Sequence, residues 1–350
     1  MTLEDAKKVY AHLQDDISRR LFMARLEYSI SGSAELINML PAEYRNLSSD
    51  IEIFRQKFLA DDFEKTVIFG AGANGIAMAW QFPKRIEAFI DNYRNGETEK
   101  RTNLPILSLQ DYLKYYGKDQ TKFIISVSDR NIACKMRAQL KDEGIKDRAI
   151  VSLNGDYRNN ASQYFDVLEP GEHESFVDCG CFDGSTAFRF AGWCGKKGYD
   201  KIWCFEPDHQ SYNLCKEICG KLDKCEVFPY GVSDMEERVS FVSTGKEDAR
   251  IRAEAVTDDE NSVKTILLDE FLKEERVTFI KMDIEGFEMR ALKGAANIIR
   301  EQKPKLAISI YHRAEDFAAV PNFLLKLRPD YQFSIRHYSL LANETVLYAF

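Results

Sequence analysis

Two carboxylates that flank a glycine-bearing turn are the residues of this chain best placed for chemistry. Asp178 ends a short apolar run, and Gly180 and Gly184 follow it just before a predicted helix. The next apolar run, residues 201–205, ends on Glu206. A strand, a glycine turn, a helix and a second strand that ends on an acid form half of a doubly wound nucleotide-binding site.

The residue types in this turn select one class of ligand. Glycines let the backbone approach a ligand closely, the helix start offers free N–H groups, and Glu206 can accept both hydroxyls of a ribose. The turn lacks the G-x-G-x-x-G spacing of dinucleotide sites and the G-K-[ST] of triphosphate sites. An acid before the first glycine, with no basic residue in the turn, suits a ligand with a cationic amino-acid end. We therefore predict S-adenosylmethionine rather than a dinucleotide.

Further polar residues also follow apolar runs, namely Ser233, Asp234, Asp283 and His312. Ligands of doubly wound sheets bind beyond the carboxyl ends of the strands, so we expect these residues to share one site with Asp178 and Glu206. Each position also has a structural explanation, because acids at strand ends cap helices or close turns and a histidine can be buried and hydrogen-bonded.

Together with DCGCFDG and FEPD, the segments 231–234, 279–288 and 306–313 resemble the FkbM family of S-adenosylmethionine-dependent methyltransferases. The resemblance covers roughly residues 172–350. The family's usual turn is D-x-G-A-x-x-G-x-x-T. Here Cys181 replaces the alanine and the threonine comes one place early, which are mild departures.

The resemblance implies an α/β fold and a methyl-transfer reaction. We expect residues 172–350 to form a seven-stranded class I methyltransferase sheet that ends in an antiparallel hairpin. The expected acceptor is a hydroxyl of a sugar, a glycan or a secondary metabolite. The residues expected to bind the cofactor are Asp178, Gly180, Gly184, Glu206, Ser233 and Asp234.

Methyl transfer needs the acceptor oxygen, the methyl carbon and the sulfur in line, and a base that takes the hydroxyl proton accelerates it. His312 is the histidine placed for this role, with a pKa of about 6.5 if unperturbed, and Asp283 would orient it or the substrate. Our main interpretation assigns no metal. In the alternative, Asp283, Glu285 and His312 hold a divalent ion that acidifies the hydroxyl.

A second glycine-rich turn lies in the N-terminal half. Gly70, Gly72 and Gly75 give a true G-x-G-x-x-G between a predicted strand and a helix, and Asp91 falls where a ribose-binding acid would sit. Residues 61–155 resemble the small Rossmann-like domain found beside methyltransferase, acyltransferase and glycosyltransferase modules in sugar-modifying proteins. The turn either binds a nucleotide or nucleotide sugar, or only packs a helix on a strand. About four predicted strands fall short of a full dehydrogenase cofactor domain.

The sequence thus predicts two doubly wound Rossmann-like units, 61–155 and 172–350. A helical arm over residues 1–60 precedes them, and we expect it to serve packing or the formation of a homodimer. The C-terminal strands are predicted at 175–178, 201–206, 225–229, 277–283, 304–311, 330–337 and 344–350.

Composition narrows the functional classes. A net charge of −8 and a pI near 5.4 argue against a nucleic-acid partner. No apolar run approaches the length of a membrane span and no leader is predicted, so we expect a cytoplasmic protein. The eight cysteines form no C-x-x-C pair, which favours reduced thiols over a zinc site.

Two other functions stay open at this point. The chain could be a nucleotide-sugar-binding or NAD-dependent protein that acts through the turn at residues 70–75, or a non-catalytic scaffold.

Overall fold

The chain divides into two compact units, which are described separately. Unit 1 comprises Met1–Ser29, Ser162–Arg336 and Thr345–Phe350, and unit 2 comprises Ile30–Ala161 and His337–Glu344. The structure is a computed structural model, and the residues that it describes are 2–32, 35–38, 40, 57, 60, 63–81, 86–127, 129–152, 162–242, 250–255, 262–339 and 342–350.

The first helices belong mainly to unit 1. The described helices of this region are α1 (Leu3–His12), α2 (Asp16–Ser31) and α3 (Glu35–Asn38). A capping box in which Thr2 and Asp5 bond each other's backbone N–H starts α1. The segment between α1 and α2 is tied to the end of unit 1, because Gln14 N–H donates to the Phe333 carbonyl at 3.0 Å. This part of the arm therefore serves packing within its own unit.

Unit 2 is built on a six-stranded sheet. Its strands run in the order β3-β4-β2-β1-β5-β6 and are β1 (Lys65–Phe69), β2 (Ile86–Ile90), β3 (Glu97–Glu99), β4 (Leu104–Leu107), β5 (Thr121–Ile125) and β6 (Ile150–Ser152). All neighbouring pairs with a described register are parallel except β3 with β4. The helices are α4 (Ala73–Gln81), α5 (Leu109–Tyr116), α6 (Arg130–Asp142) and a 3₁₀ turn at Asp147–Ala149. The sequence predicted β1, β2, β5 and β6 but missed the short pair β3 and β4.

Unit 1 is built on a seven-stranded sheet, as predicted. Its order is β16-β17-β15-β14-β7-β8-β9, and the strands are β7 (Glu174–Cys179), β8 (Tyr199–Phe205), β9 (Cys225–Phe228), β14 (Phe279–Met282), β15 (Lys305–Ser309), β16 (Phe333–His337) and β17 (Thr345–Ala349). β17 runs antiparallel to β15, and Gln332 and Phe350 exchange two backbone hydrogen bonds beside it. The α/β class, the seven strands and the antiparallel closing hairpin are therefore confirmed.

A second, four-stranded sheet of unit 1 was not predicted. Its order is β10-β13-β11-β12, with β10 (Gly231–Val232), β11 (Arg238–Val242), β12 (Arg250–Ala255) and β13 (Ser262–Ile266). The helices of unit 1 after residue 162 are α7 (Ser185–Cys194), α8 (His209–Cys219), α9 (Leu268–Phe271), α10 (Glu288–Lys293), α11 (Ala296–Gln302) and α12 (Asp316–Leu327), with a 3₁₀ turn at Gly195–Lys197.

Aromatic packing fixes α7 on the large sheet. The rings of Phe176 on β7 and Phe190 on α7 stack with centroids 4.4 Å apart, and Phe279 on β14 meets Phe176 edge-on at 5.3 Å. Such pairs contribute about 0.5–1.5 kcal/mol beyond the area that they bury. The packing holds the helix that follows the glycine turn against β7 and β14. Within the described part of the chain, no helix has the length and apolarity needed to cross a bilayer.

Candidate cofactor and acceptor site

The glycine turn between β7 and α7 is shaped by close backbone approach. Gly180 has φ +78°, and a Cβ there would lie 2.0 Å from the carbonyl oxygen of Asp283. Gly184 has φ +79°, and its Cβ would lie 2.6 Å from the sulfur of Cys219. Real Cβ atoms do not approach that closely, so both positions require glycine. The turn is therefore pressed between the end of β14 and helix α8.

Glu206 joins the end of β8 to this turn. One of its carboxylate oxygens accepts the N–H of Phe182 at 2.9 Å, and the other accepts the N–H of Asp208 at 2.9 Å. The residue is 7% exposed, and this burial raises the pKa of Glu206 to about 7, against the opposing effect of the two N–H bonds. Each oxygen keeps a second lone pair for a ligand. Glu206 thus holds the turn in place and remains able to accept further hydrogen bonds.

Asp178 lies deeper than the sequence suggested. It is fully buried on β7, and one of its oxygens lies 3.0 Å from Nζ of Lys281 on β14. Burial raises the pKa of Asp178, against the opposing charge of Lys281. Lys281 Nζ also donates to the carbonyl oxygen of Gly180 at 2.7 Å. Lys281, which sequence reasoning missed, therefore connects Asp178 to the turn.

Ser233 and Asp234 lie at the start of the smaller sheet. Asp234 forms an ion pair of 2.6 Å with Nε of Arg290 on α10, and the Ser233 hydroxyl donates to Asp234 at 3.3 Å. Burial acts to raise the pKa of Asp234. The hydrogen bond and charge of Arg290 outweigh this effect, so the pKa is lowered overall. A Cβ on Gly294 would lie 2.0 Å from the Ser233 carbonyl oxygen. Both predicted residues are thus fixed against α10.

Asp283 and His312, the predicted catalytic residues, do come together. The Nε2 atom of His312 lies 3.5 Å from an oxygen of Asp283 and 3.6 Å from an oxygen of Glu285, while Nδ1 lies 2.8 Å from Glu288. We call these four residues the acid–histidine cluster. The His312 side chain is 8% exposed and that of Glu288 is fully buried. Three carboxylates thus surround one imidazole at the ends of β14 and β15.

The surroundings of His312 differ from the expected ones. Burial acts to lower its pKa, but the neighbouring carboxylates of Glu285, Glu288 and Asp283 outweigh burial and raise the pKa well above the ordinary value. The expected value of about 6.5 held for an unperturbed imidazole, and His312 is perturbed by these three carboxylates. Burial acts to raise the pKa of Asp283. The charges of His312 and Lys281 outweigh this effect, so the pKa is lowered overall.

Two tyrosines that sequence reasoning missed complete this end of the sheet. Tyr164 donates its hydroxyl to Asp283 at 2.8 Å, and Tyr311 donates to the other oxygen of Asp283 at 3.3 Å. Tyr311 lies in the resembling segment 306–313 beside His312, but Tyr164 lies between the two predicted units, 61–155 and 172–350. No local pattern marked Tyr164, because its partner is distant in sequence.

Three cysteines, Cys181, Cys215 and Cys219, lie in or beside the glycine turn of unit 1. All eight cysteines of the chain are free, and six are buried. Cys181 and Cys215 have sulfurs 3.1 Å apart, and Cys204 approaches Cys225 at 3.9 Å. Burial raises the pKa of Cys194 to about 12, which keeps that thiol protonated.

The second glycine turn, in unit 2, is also bound to its acid. The Ala71 N–H donates to Asp91 at 3.1 Å, and the Tyr93 N–H donates to its other oxygen at 2.9 Å. An added Cβ on Gly75 would lie 2.0 Å from the Gly70 carbonyl oxygen, whereas a Cβ on Gly72 would meet no atom within 4 Å. Gly70 and Gly75 thus serve packing, and Gly72 borders open space.

The part of the chain that carries the first glycine turn and the seven-stranded sheet matches a known protein family. Residues 178–335 match the family described as Methyltransferase FkbM domain. The 2-O-methyltransferase NoeI of Sinorhizobium fredii is 29% identical over 147 residues, a match that spans 36% of this chain and 59% of that protein. The chain therefore spans less than two thirds of that relative.

A solved structure extends the comparison to nearly the whole chain. Methyltransferase FkbM from Methylobacillus flagellatus KT matches with a TM-score of 0.53 and 20% identity, covering 96% of this chain and 99% of that one. At this identity the likeness concerns the fold alone. With the glycine turn, the seven-stranded sheet and the family match in agreement, residues 178–335 are identified as a methyltransferase FkbM domain.

Proposed function

We propose that this protein transfers the methyl group of S-adenosylmethionine to a hydroxyl oxygen of a sugar, a glycan or a secondary metabolite. The observation that carries the proposal is the position of Glu206. Its carboxylate bonds the N–H of Phe182 in the glycine turn at the carboxyl ends of β7 and β8. Strand order reverses between β7 and β14, and such a switch point is where doubly wound sheets bind ligands.

The cofactor half of the site uses the residues named from the sequence. Glu206 would accept the ribose hydroxyls, and Gly180 and Gly184 would let the backbone approach the ligand. Ser233 and Asp234 would contact the adenine from the start of the smaller sheet. Asp178 would attract the cationic end of the cofactor, and Lys281, which lies 3.0 Å from it, would hold this carboxylate beside the turn.

The acceptor half lies on the other side of β7. Asp283, which follows β14, and His312, which comes after β15, remain the proposed catalytic residues. In the reaction a bond forms between the acceptor oxygen and the methyl carbon, the carbon–sulfur bond breaks, and its electron pair stays on sulfur. The hydroxyl proton must leave, and His312 or a carboxylate beside it would accept that proton. The similarity to a 2-O-methyltransferase supports an oxygen acceptor.

Isothermal titration of the full chain with S-adenosylhomocysteine tests the cofactor half. Loss of a charge-assisted hydrogen bond costs about 1.5–3 kcal/mol, so Glu206→Ala should bind roughly tenfold to a hundredfold more weakly. Glu206→Gln keeps the side-chain shape and one acceptor oxygen, so its affinity should lie between those of the wild type and Glu206→Ala. Glu226→Gln, which alters an acid on β9 that pairs with Lys201, is the matched control.

The same titration separates the alternatives. Unchanged affinity in Glu206→Ala would contradict the site assignment. Tight binding of NAD or a UDP-sugar, without binding of S-adenosylhomocysteine, would favour a nucleotide-binding protein that acts through the turn at residues 70–75. Absence of binding by any of these ligands would favour a scaffold.

A further inference from the structure

We infer that Asp283, Glu285 and His312 of the acid–histidine cluster bind one divalent metal ion of the Mg²⁺ or Mn²⁺ class, with Glu288 orienting the imidazole. Only the role of the ion rests on the proposed methyl transfer. The binding itself rests on the arrangement of donor atoms in unit 1.

The spacing of the donor atoms suits one ion. One ligand atom each from Asp283, Glu288 and His312 lie within 4.8 Å of one another. His312 Nε2 lies 3.5 Å from Asp283 and 3.6 Å from Glu285. Ligands that share an ion with bonds of about 2.1 Å are separated by about 3.0–4.2 Å. The two separations at Nε2 fall in that interval, so an ion would need only small side-chain shifts.

Two buried donor atoms of the cluster make no hydrogen bond. These atoms are Nε2 of His312 and one oxygen of Glu288, on side chains that are 8% exposed and fully buried. A buried polar atom without a partner costs about 1–3 kcal/mol. Since Nε2 faces the oxygens of Asp283 and Glu285, a cation between them would satisfy it.

The other nitrogen of His312 is already oriented as metal sites require. Its Nδ1 lies 2.8 Å from Glu288, so Nδ1–H can donate to this carboxylate and leave the Nε2 lone pair for a metal. Tyr164 donates to one oxygen of Asp283 and so fixes the orientation of this carboxylate. Carboxylate–histidine pairs and bonded carboxylates of this kind commonly orient metal ligands.

The charge balance also favours a cation. The cluster brings three carboxylates together, and the nearby ammonium of Lys281 already pairs with Asp178. Buried charges need compensation, and a divalent ion between Asp283 and Glu285 would supply it.

The donor types indicate the class of metal. Carboxylate oxygens suit Mg²⁺ and Mn²⁺, whereas thiolates select zinc and other softer ions. The thiols of the cysteine groups lie on β8, β9, α8 and the glycine turn, and none belongs to this cluster. An ion here would lower the pKa of an acceptor hydroxyl that binds to it.

Binding of Mn²⁺ to the full chain, after dialysis against a chelator, tests the inference. Electron paramagnetic resonance measures free Mn²⁺ during titration, and added Mg²⁺ should displace it. We expect one site in the wild type, and affinity about tenfold or more weaker in Asp283→Asn and in His312→Gln. Glu226→Gln should bind as the wild type does. Melting curves identify any variant that does not fold, and Glu285→Gln then provides a third, more exposed ligand change.

The outcomes separate this inference from the proposed function. Absence of stoichiometric Mn²⁺ binding, or equal affinity in the wild type and in folded cluster variants, would overturn the metal site. Glu206→Gln should retain Mn²⁺ while losing affinity for S-adenosylhomocysteine. Mn²⁺ binding without any cofactor binding would support the metal site and contradict the methyl transfer. Cofactor binding without Mn²⁺ binding would support the methyl transfer and contradict the metal site.

Discussion

At the scale of single residues, Glu206 combines two tasks in one carboxylate. It holds the glycine turn through Phe182 and the start of α8 through Asp208, and it keeps lone pairs for a ligand. Because the side chain is buried, ionising it without a ligand is costly, and its pKa rises to about 7. A ligand that supplies hydroxyl donors would stabilise the ionised form.

The first prediction concerns the pH dependence of this residue. A raised acid pKa means that Glu206 is mostly protonated below pH 7, so cofactor affinity should fall as pH drops through that value. The linkage slope is at most about one logarithmic unit of affinity per pH unit. Titration with S-adenosylhomocysteine between pH 5.5 and 8.5 measures this change of affinity with pH. Glu206→Gln, which cannot ionise, should show a flatter curve, and an equally steep curve in that variant would contradict the assignment.

Some residues of the site could be predicted from the sequence, and others could not. Glu206, Asp283 and His312 were predicted because polar residues after apolar strands meet at one edge of a sheet. Lys281 and Tyr164 were missed, since each acts through a partner more than 100 positions away. The surroundings of His312 could be anticipated only in part. Its pKa depends on three carboxylates, of which the sequence interpretation had weighed only two as its neighbours.

At the scale of elements, β14 links the two halves of the site. Asp283 ends it, and Lys281 within it donates to the carbonyl oxygen of Gly180 and pairs with Asp178. The Gly180 position in turn has no room for a side chain against Asp283. A change in β14 should therefore affect the glycine turn as well as the acid–histidine cluster.

The second prediction tests this coupling. Lys281→Met leaves Asp178 buried without its partner and should destabilise the protein by about 3–5 kcal/mol. The double variant Asp178→Asn with Lys281→Met removes both charges and should regain much of that loss. Urea unfolding followed by tryptophan fluorescence measures both. Lys264→Met, at a more exposed lysine, should shift stability by no more than about 0.5 kcal/mol. A similarly small change of the unfolding free energy in Lys281→Met would show that the buried pair contributes little to stability.

The third prediction concerns the glycine turn of unit 2. An added Cβ at residue 75 would overlap the Gly70 carbonyl, whereas one at residue 72 meets open space. Gly75→Ala should therefore destabilise this unit by about 1–3 kcal/mol, while Gly72→Ala should stay within about 0.5 kcal/mol of the wild type. Thermal unfolding of the paired variants is the measurement, and equal melting temperatures would contradict the packing role of Gly75.

The elements that the sequence missed share a physical cause. β3, β4 and β10 have only two to four residues each, too few for a hydrophobic period to emerge. β11 and β12 pair antiparallel to each other, and such pairing depends on partners rather than on local composition. The strands of the large sheets were predicted because most of them are continuous buried apolar runs.

At the scale of the whole molecule, the chain places two similar turns in two compact units. In each, an acid after the second strand accepts an N–H from the turn, Glu206 in one and Asp91 in the other. The predicted domain limits, 1–60, 61–155 and 172–350, remain proposals. Sequence pattern does not tell which of two such turns binds a ligand, because the backbone features of both are alike.

The fourth prediction locates the ligand in the intact protein. Hydrogen exchange measured by mass spectrometry, with and without S-adenosylmethionine, should show slower exchange at residues 178–186 and 204–210. The bound nucleotide would order the turn and raise the free energy of local opening, by about 2.7 kcal/mol at a hundredfold excess over Kd. Residues 68–76 should exchange at the same rate in both samples, and NAD should protect neither turn. Protection of residues 68–76 by NAD, with none at 178–186 from S-adenosylmethionine, would move the functional site to unit 2.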